Sequence, residues 1–335
     1  VLLVAAARPV NAQSTGLGVT PHRDITVSRG KSVDSSLFIS NLNPKVPVKV
    51  TFSIIDFKSA DETGTPALEL NKDAKNTPWS LKSFITLPNT LELKAGEAKN
   101  IPFKVTIPAT MSPGSYYSAI RYNAEPGEKK GVTVNASAAT LVFVNVPGKA
   151  TEQLNLKNFG AYDIKEGQVK GKFKSLFVTK QPQELAYLVE NAGNVAEKPS
   201  GTVEIKNMFG KHVRTISDAN PRSNLALIGQ TRRIEFCINP EKREVTEKSI
   251  KTVIESCISP KLAPGMYKLH LHLMYGLNGS SSQEINTVAT VWYVPIWSVA
   301  VLLLLLAVLA AVLVVLRVPL IRQIRRLKRG RRHHT

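Results

Sequence analysis

The stretch Asn100–Ile107 reads NIPFKVTI, in which Ile101, Phe103, Val105 and Ile107 alternate with Pro102, Lys104 and Thr106. Apolar residues at every second position put one face of a strand in a core and the other in water. The flanking text carries turn chemistry, Ala95-Gly96-Glu97 before it and Ser112-Pro113-Gly114 after it. Working outward, the same short-strand pattern predicts Asp24–Ser28, Ser32–Asn41, Val46–Asp56, Lys82–Leu87, Thr90–Lys94, Ala98–Ile107, Ser115–Asn123 and Gly131–Val146. One polar stretch, Lys58 to Ser83, breaks the pattern. A loop of that length is expected to be functional or mobile rather than core. It holds Pro78 and Trp79, and an aromatic there either meets a ligand or plugs the end of the sandwich.

Val146-Pro147-Gly148 reads as a domain boundary. Beyond it a second set of strands is expected at Thr151–Lys157, Gln168–Phe177, Glu184–Asn191, Gly201–Asn207, Lys211–Ile216, Arg232–Ile238, Met266–Tyr275 and Gln283–Tyr293. Many short strands with regular turns favour sandwiches over a barrel or an α/β fold. The fold class expected is all-β: two tandem immunoglobulin-like β-sandwich domains, residues 16–148 and 149–294, followed by a single transmembrane α-helix at 296–316 and a basic cytoplasmic tail at 317–335.

The helix expectation rests on Ile296 to Leu316, an uncharged run rich in Leu, Val and Ala. Such a run is long enough to cross a bilayer and lacks the polar stripe of a soluble helix. Trp292, Tyr293 and Trp297 stand at one end as an aromatic belt, and Arg317, Arg322, Arg325, Arg326, Lys328 and Arg329 follow the other. That basic flank marks the cytoplasmic side. Residues 1–12 read as the remnant of a signal peptide. The localisation expected is therefore the cell membrane, single-pass type I, with the ectodomain outside. In the tail, Leu320, Ile321, Ile324 and Leu327 fall at helical spacing with arginines between them, which either lays the tail on the inner leaflet or serves only to stop transfer. The chain has 335 residues and a net charge of +19, with 44 Lys and Arg against 25 Asp and Glu, shared between tail and ectodomain. A basic surface favours anionic partners, among them lipid headgroups and wall polymers.

Certain phrases carry a resemblance. NLNPKVPVKVTFSIIDF (41–57), LELKAGEAKNIPFKVTIPATMSPGSYYSAIRY (91–122) and LVFVNVPG (141–148) resemble the peptidoglycan-binding domain of the WxL-interacting protein family of bacterial surface proteins. YLVENAGNVAEKPSGTVEIKNMFG (187–210) and APGMYKLHLHLMYG (263–276) are similar to membrane-proximal immunoglobulin-like domains of bacterial surface proteins. The resemblance implies a protein that bridges wall and membrane or holds another surface protein.

Catalytic signatures do not emerge. Arg29-Gly30-Lys31-Ser32 lacks the earlier glycine and the helix of a phosphate loop, and no H-E-x-x-H or G-x-S-x-G occurs. His270 and His272 share a strand face but have no third ligand near in sequence. The scattered Lys45, Lys49, Lys104 and Arg121 form no nucleic-acid track. The expectation is a non-enzymatic protein with no metal, cofactor or nucleic-acid partner. Its partners would be the cytoplasmic membrane and either peptidoglycan or a surface protein, bound through domain one. The other reading is a membrane-anchored chaperone-like assembly factor that acts by β-strand addition. Cys237 and Cys257, both in domain two, are expected to form a disulfide at the base of a polar excursion. The topology makes a prediction: protease added to intact cells digests the ectodomain and leaves a short protected C-terminal fragment, and recovery of an intact ectodomain would refute it.

Overall fold

The computed structural model describes residues 13–14, 16–71, 73–126, 133–163, 171–174, 176–247, 250–276 and 283–330. The expected signal-peptide remnant, residues 1–12, lies outside them, as do tail residues 331–335.

Domain one contains, in chain order, β1 (Gln13–Ser14), β2 (Leu17–Val19), β3 (His22–Thr26), β4 (Ser32–Asn41), β5 (Val48–Ile55), β6 (Phe57–Ser59), β7 (Pro66–Leu68), β8 (Ile85–Thr86), β9 (Thr90–Leu93), β10 (Ala98–Thr106), β11 (Gly114–Pro126), β12 (Thr133–Val134) and β13 (Ala136–Val146). Its two large sheets run β2-β4-β10-β8 and β3-β13-β11-β5-β9. Between β2 and β3 the chain crosses from one sheet to the other, so that β3 lies parallel to β13 while β2 lies antiparallel to β4. On β10 the alternation is realised: Ile101, Phe103 and Val105 are buried and Lys104 is exposed. They meet Leu37, Ile39, Val50, Ile120 and Tyr122 between the sheets. Burying such side chains is the main favourable term of each sandwich.

Domain two contains β14 (Leu154–Asp163), β15 (Lys172–Phe173), β16 (Phe177–Val178), β17 (Glu184–Asn191), β18 (Ser200–Asn207), β19 (His212–Ile216), β20 (Thr231–Cys237), β21 (Pro240–Glu247), β22 (Ile250–Cys257), β23 (Gly265–Tyr275) and β24 (Gln283–Tyr293). Its sheets are β15-β14-β17-β20 and β16-β24-β23-β18-β19. The chain again passes from one sheet to the other between β15 and β16, with β16 parallel to β24. Leu185, Tyr187, Val189, Ile205, Leu271 and Leu273 form the core. Cys237 and Cys257 are disulfide-bonded, with Cα atoms 5.1 Å apart, at the foot of the β21–β22 hairpin. A single helix, α1 (Ile296–Gly330), follows, and Ile296–Val315 is long and apolar enough to cross a membrane.

Several expected elements differ. Lys82–Leu87 forms strand only at Ile85–Thr86, because the preceding residues turn: the Phe84 amide donates to the Leu81 carbonyl. Gln168–Phe177 yields only the short β15 and β16, with 168–170 outside the described residues. Gly131–Val146 is broken between β12 and β13, with 131–132 undescribed. The helix does not end at Leu316, and its backbone carries Arg317, Arg322, Arg325, Arg326, Lys328 and Arg329 onward to Gly330. Tyr293, expected at the membrane interface, packs in the domain-two core. The two-residue period of β24 turns Val291 and Tyr293 into the domain-two core and Trp292 to the opposite face.

Candidate functional site: the inter-domain cleft

The polar stretch expected as a free loop is the element that joins the domains. Its first part is the hairpin β6–β7, closed by the Ala60 amide donating to the Thr65 carbonyl at 2.8 Å and by the Thr63 amide donating to the Asp61 carboxylate at 2.8 Å. The tip reaches β20, which ends its sheet and therefore offers an unpaired edge. There the Arg233 amide donates to the Glu62 carbonyl at 2.7 Å. The Arg233 guanidinium, 4% exposed, pairs with the carboxylates of Glu62 and Glu235 and sits 5.0 Å above the Tyr162 ring. Arg232 donates to the Thr63 carbonyl and, at 2.6 Å, to the Asn224 side chain. Burial lowers the Arg232 pKa, and the neighbouring Arg233 charge lowers it further.

Gly64 makes this approach possible. Its φ of +78° is in the left-handed region, and a Cβ there would fall on the Arg232 guanidinium. A second tie is made by Asn194, in the turn Asn191–Asn194. Its carbonyl accepts from the Ser115 amide at 2.9 Å, and its side-chain amide donates to the Pro113 carbonyl at 3.0 Å.

The root of the insertion is Asp56, 1% exposed. Its carboxylate accepts from the Thr77 amide at 3.0 Å and the Ser118 hydroxyl at 2.9 Å, and Lys82 lies 3.4 Å away. Burial alone would raise its pKa. The hydrogen bonds from Thr77, Ser80 and Ser118 and the Lys82 charge outweigh burial, and the carboxyl lies below its usual value of 3.8.

Between these ties lies a small apolar cluster of Phe57, Tyr117, Ala119, Ala196 and Leu227, flanked by Trp79, Phe143, Leu225 and Ile228. Trp79 stacks on Tyr117 with ring centroids 5.4 Å apart, and its carbonyl accepts from the Tyr117 amide. Trp79 thus joins the inter-domain cluster, half-buried, while its neighbour Pro78 is exposed. Neither lines the cleft that opens beside them.

That cleft has a volume of about 720 Å³. Domain one contributes the edge strand β3 through His22, Asp24, Ile25 and Thr26, together with Leu141, Phe143 and Phe57. Domain two contributes Lys198, Arg222, Leu225, Leu227, Gln230 and Arg232. β3 is the outermost strand of its sheet. The Leu141 amide donates to the Pro21 carbonyl and the Val27 amide to the Asn145 carbonyl, so odd-numbered residues of this segment face β13. In a parallel pair the backbone groups of His22, Asp24 and Thr26 then point the other way, out of the sheet. A five-residue strand edge therefore borders a cleft with apolar walls and the cations Lys198 and Arg222 on its far side.

The remaining expected sites are placed as follows. His270 and His272 stand on β23, and a ring nitrogen of His272 lies 2.6 Å from the Asn286 side-chain oxygen. Among the described residues no group of three metal-ligating side chains forms. Arg29-Gly30-Lys31 turns into β4 at Ser32, with the Lys31 amide donating to the Ser28 carbonyl. Reading the sequence missed Glu62, Gly64, Asn194, Arg232 and Arg233. No local signal marks them, because each acquires its role from a residue in the other domain.

No family model matches the chain, and no curated protein matches it. Among solved structures it is similar to the E. coli chaperone DraB, with 11% identity, 83% of this chain and 98% of that chain covered, and a TM-score of 0.35. The class 5 fimbriae chaperone CfaA matches at 12% identity over 82% and 100%, with a TM-score of 0.34. The PapD-like domain 7 of human CEP192 matches at 12% identity over 43% and 96%, with a TM-score of 0.28. Scores this low carry no argument about function, which rests on the residues described above.

Two outcomes follow for the clamp. A carboxyl whose folded pKa is depressed stabilises the fold above its unfolded pKa, and that stability is lost as pH falls through the folded value. Wild-type stability is therefore expected to decline as pH drops below 3.8. Asp56→Asn should cost about 3 kcal/mol near neutrality and show a shallower acid limb in denaturant titrations repeated across pH. Gly64→Ala should cost about 1–3 kcal/mol through backbone strain and displacement of Arg232, and should split the melting of the two domains in calorimetry.

Proposed function

We propose that the chain is a membrane-anchored, non-enzymatic assembly factor for surface proteins that holds an extended segment of a partner polypeptide along the edge of β3, in the inter-domain cleft. The observation that carries this reading is the edge itself. His22, Asp24 and Thr26 border the cleft on a strand that ends its sheet. An extended peptide laid there gains main-chain hydrogen bonds from β3, and its alternate side chains enter the apolar wall formed by Phe57, Leu141, Phe143, Leu225 and Leu227. A polypeptide offers the repeating donors and acceptors that such an edge requires, whereas a glycan does not. The stacking of half-buried Trp79 on Tyr117, inside the inter-domain cluster, favours a packing role for this ring over a sugar platform. α1 supplies the anchor, with the basic residues from Arg317 onward on the cytoplasmic side by the positive-inside rule.

The test is a photo-cross-linking amino acid at Thr26 of the full chain in intact cells. The expected product is a covalent adduct with one surface polypeptide, mapped to a single extended segment. Asp24→Pro, which removes an outward amide from an edge strand that tolerates proline, should abolish that adduct and leave thermal unfolding unchanged. Retention on purified sacculi with no polypeptide adduct would overturn the reading in favour of a wall glycan.

A further inference from the structure

We infer that the end of domain two from which α1 departs is a lipid-docking rim, in which Phe209, Met208, Phe177 and Leu176 enter the headgroup layer of the bilayer that α1 crosses. The inference rests on the reading of α1 as a membrane anchor. Strand registers place the parts. β24 ends at Tyr293 opposite Gly265, the first residue of β23, and α1 begins at Ile296. β18 runs antiparallel to β23 and ends with Asn207 opposite Tyr267, so the turn that follows β18 lies at that same end. β16 lies parallel to β24, with Phe177 beside Trp292, and the Trp292 amide donates to the Leu176 carbonyl at 2.7 Å.

This end carries apolar surface that a soluble domain has no reason to display. Phe209 is 84% exposed, Phe177 61%, Met208 51% and Leu176 48%. Lone exposed apolar residues are ordinary; four at one end of a sandwich, beside the start of an apolar helix, are not. Phe209 is also held rather than dangling. The Asn207 side-chain oxygen accepts from the amides of Phe209 and Lys211, and Gly210 closes the turn at a φ of +75°. Phe177 stacks on Trp292, four residues before the helix begins, with centroids 6.1 Å apart. Fixed aromatics lose little further entropy on insertion, and aromatic rings favour the interface between headgroups and acyl chains.

Continuity selects the occupant. A surface beginning within four residues of a membrane-spanning segment is held against that bilayer by its own covalent link. Lys180, Lys211 and Lys261 are exposed on the same rim, where ammonium groups reach lipid phosphates. The domain so seated is fixed in its tilt as well as its height.

The test uses the full chain in phosphatidylcholine vesicles containing a lipid with a diazirine at the headgroup end of its acyl chain. After irradiation, label is expected on the peptides carrying Leu176–Phe177 and Met208–Phe209 as well as on α1. Met208→Ser with Phe209→Ser should remove the label from that turn and leave α1 labelling and thermal unfolding unchanged. Label on α1 alone would overturn the rim and leave the anchor standing. Absence of label from α1 would overturn the anchor and the rim with it.

Discussion

The structure depends on two charges taken out of water: Arg233, held in part by an acid from across the domain boundary, and Asp56, held by donors of its own domain. Arg233 belongs to domain two and is neutralised by Glu62 of domain one; Asp56 belongs to domain one and holds the insertion that delivers Glu62. A buried guanidinium without its acids, or a buried carboxylate without its donors, would cost several kcal/mol. Arg233 keeps both of its acids only in the assembled arrangement, and Asp56 roots the insertion that brings Glu62 to it, so the two together specify one relative placement of the sandwiches. The apolar cluster around Tyr117 and Phe57 adds attraction but little direction. The fork of Arg233, held by two carboxylates and the Tyr162 face, supplies the direction.

Fixing that placement settles which strand edges stay open. An unpaired edge invites unwanted pairing, and proteins cover it, charge it or recess it. The β20 edge is covered, since the tip of the β6–β7 hairpin gives its Glu62 carbonyl to the Arg233 amide. The β3 edge is charged instead. It carries the exposed His22 and Asp24 and borders the cleft. The two edges differ in treatment because the insertion serves one of them.

The sandwiches were legible in the sequence because their information is local. The alternation in Asn100–Ile107 sets the exposure of Asn100–Thr106 on β10, and the same period runs through most of β23 and β24. The short elements were not legible. β8, β15 and β16 are each two residues long, and their existence depends on a neighbouring strand rather than on any pattern of their own. The cleft was illegible for a deeper reason. Glu62 and Arg233 are separated by 171 positions and carry ordinary surface residue types, so nothing in either neighbourhood predicts burial. For Trp79 the sequence left two places open, a ligand contact or a plug at the end of the sandwich. Its stretch is polar in composition, yet the one large apolar ring in it finds Tyr117 across the fold.

The strands of domain two also give the molecule a polarity. β17 and β20 are antiparallel, and so are β18 and β23, so every connection lies at one end or the other. The turn at Asn191–Asn194 and the segment before β20 face domain one and the cleft. The turn at Met208–Phe209, the foot of the stapled hairpin and the start of α1 occupy the opposite end. Strands of eight residues separate the two by roughly 25 Å. Function divides the same way in the proposed reading. The cleft end is built from buried charges and close backbone approaches, which is what a geometrically exact peptide edge needs. The helix end is built from exposed apolar side chains on short, well-made turns, which suits a partner that is fluid and has no fixed shape. A rigid cleft is useful on a tethered protein only if the tether does not let it tumble, and an apolar rim at the base of domain two would supply that restraint.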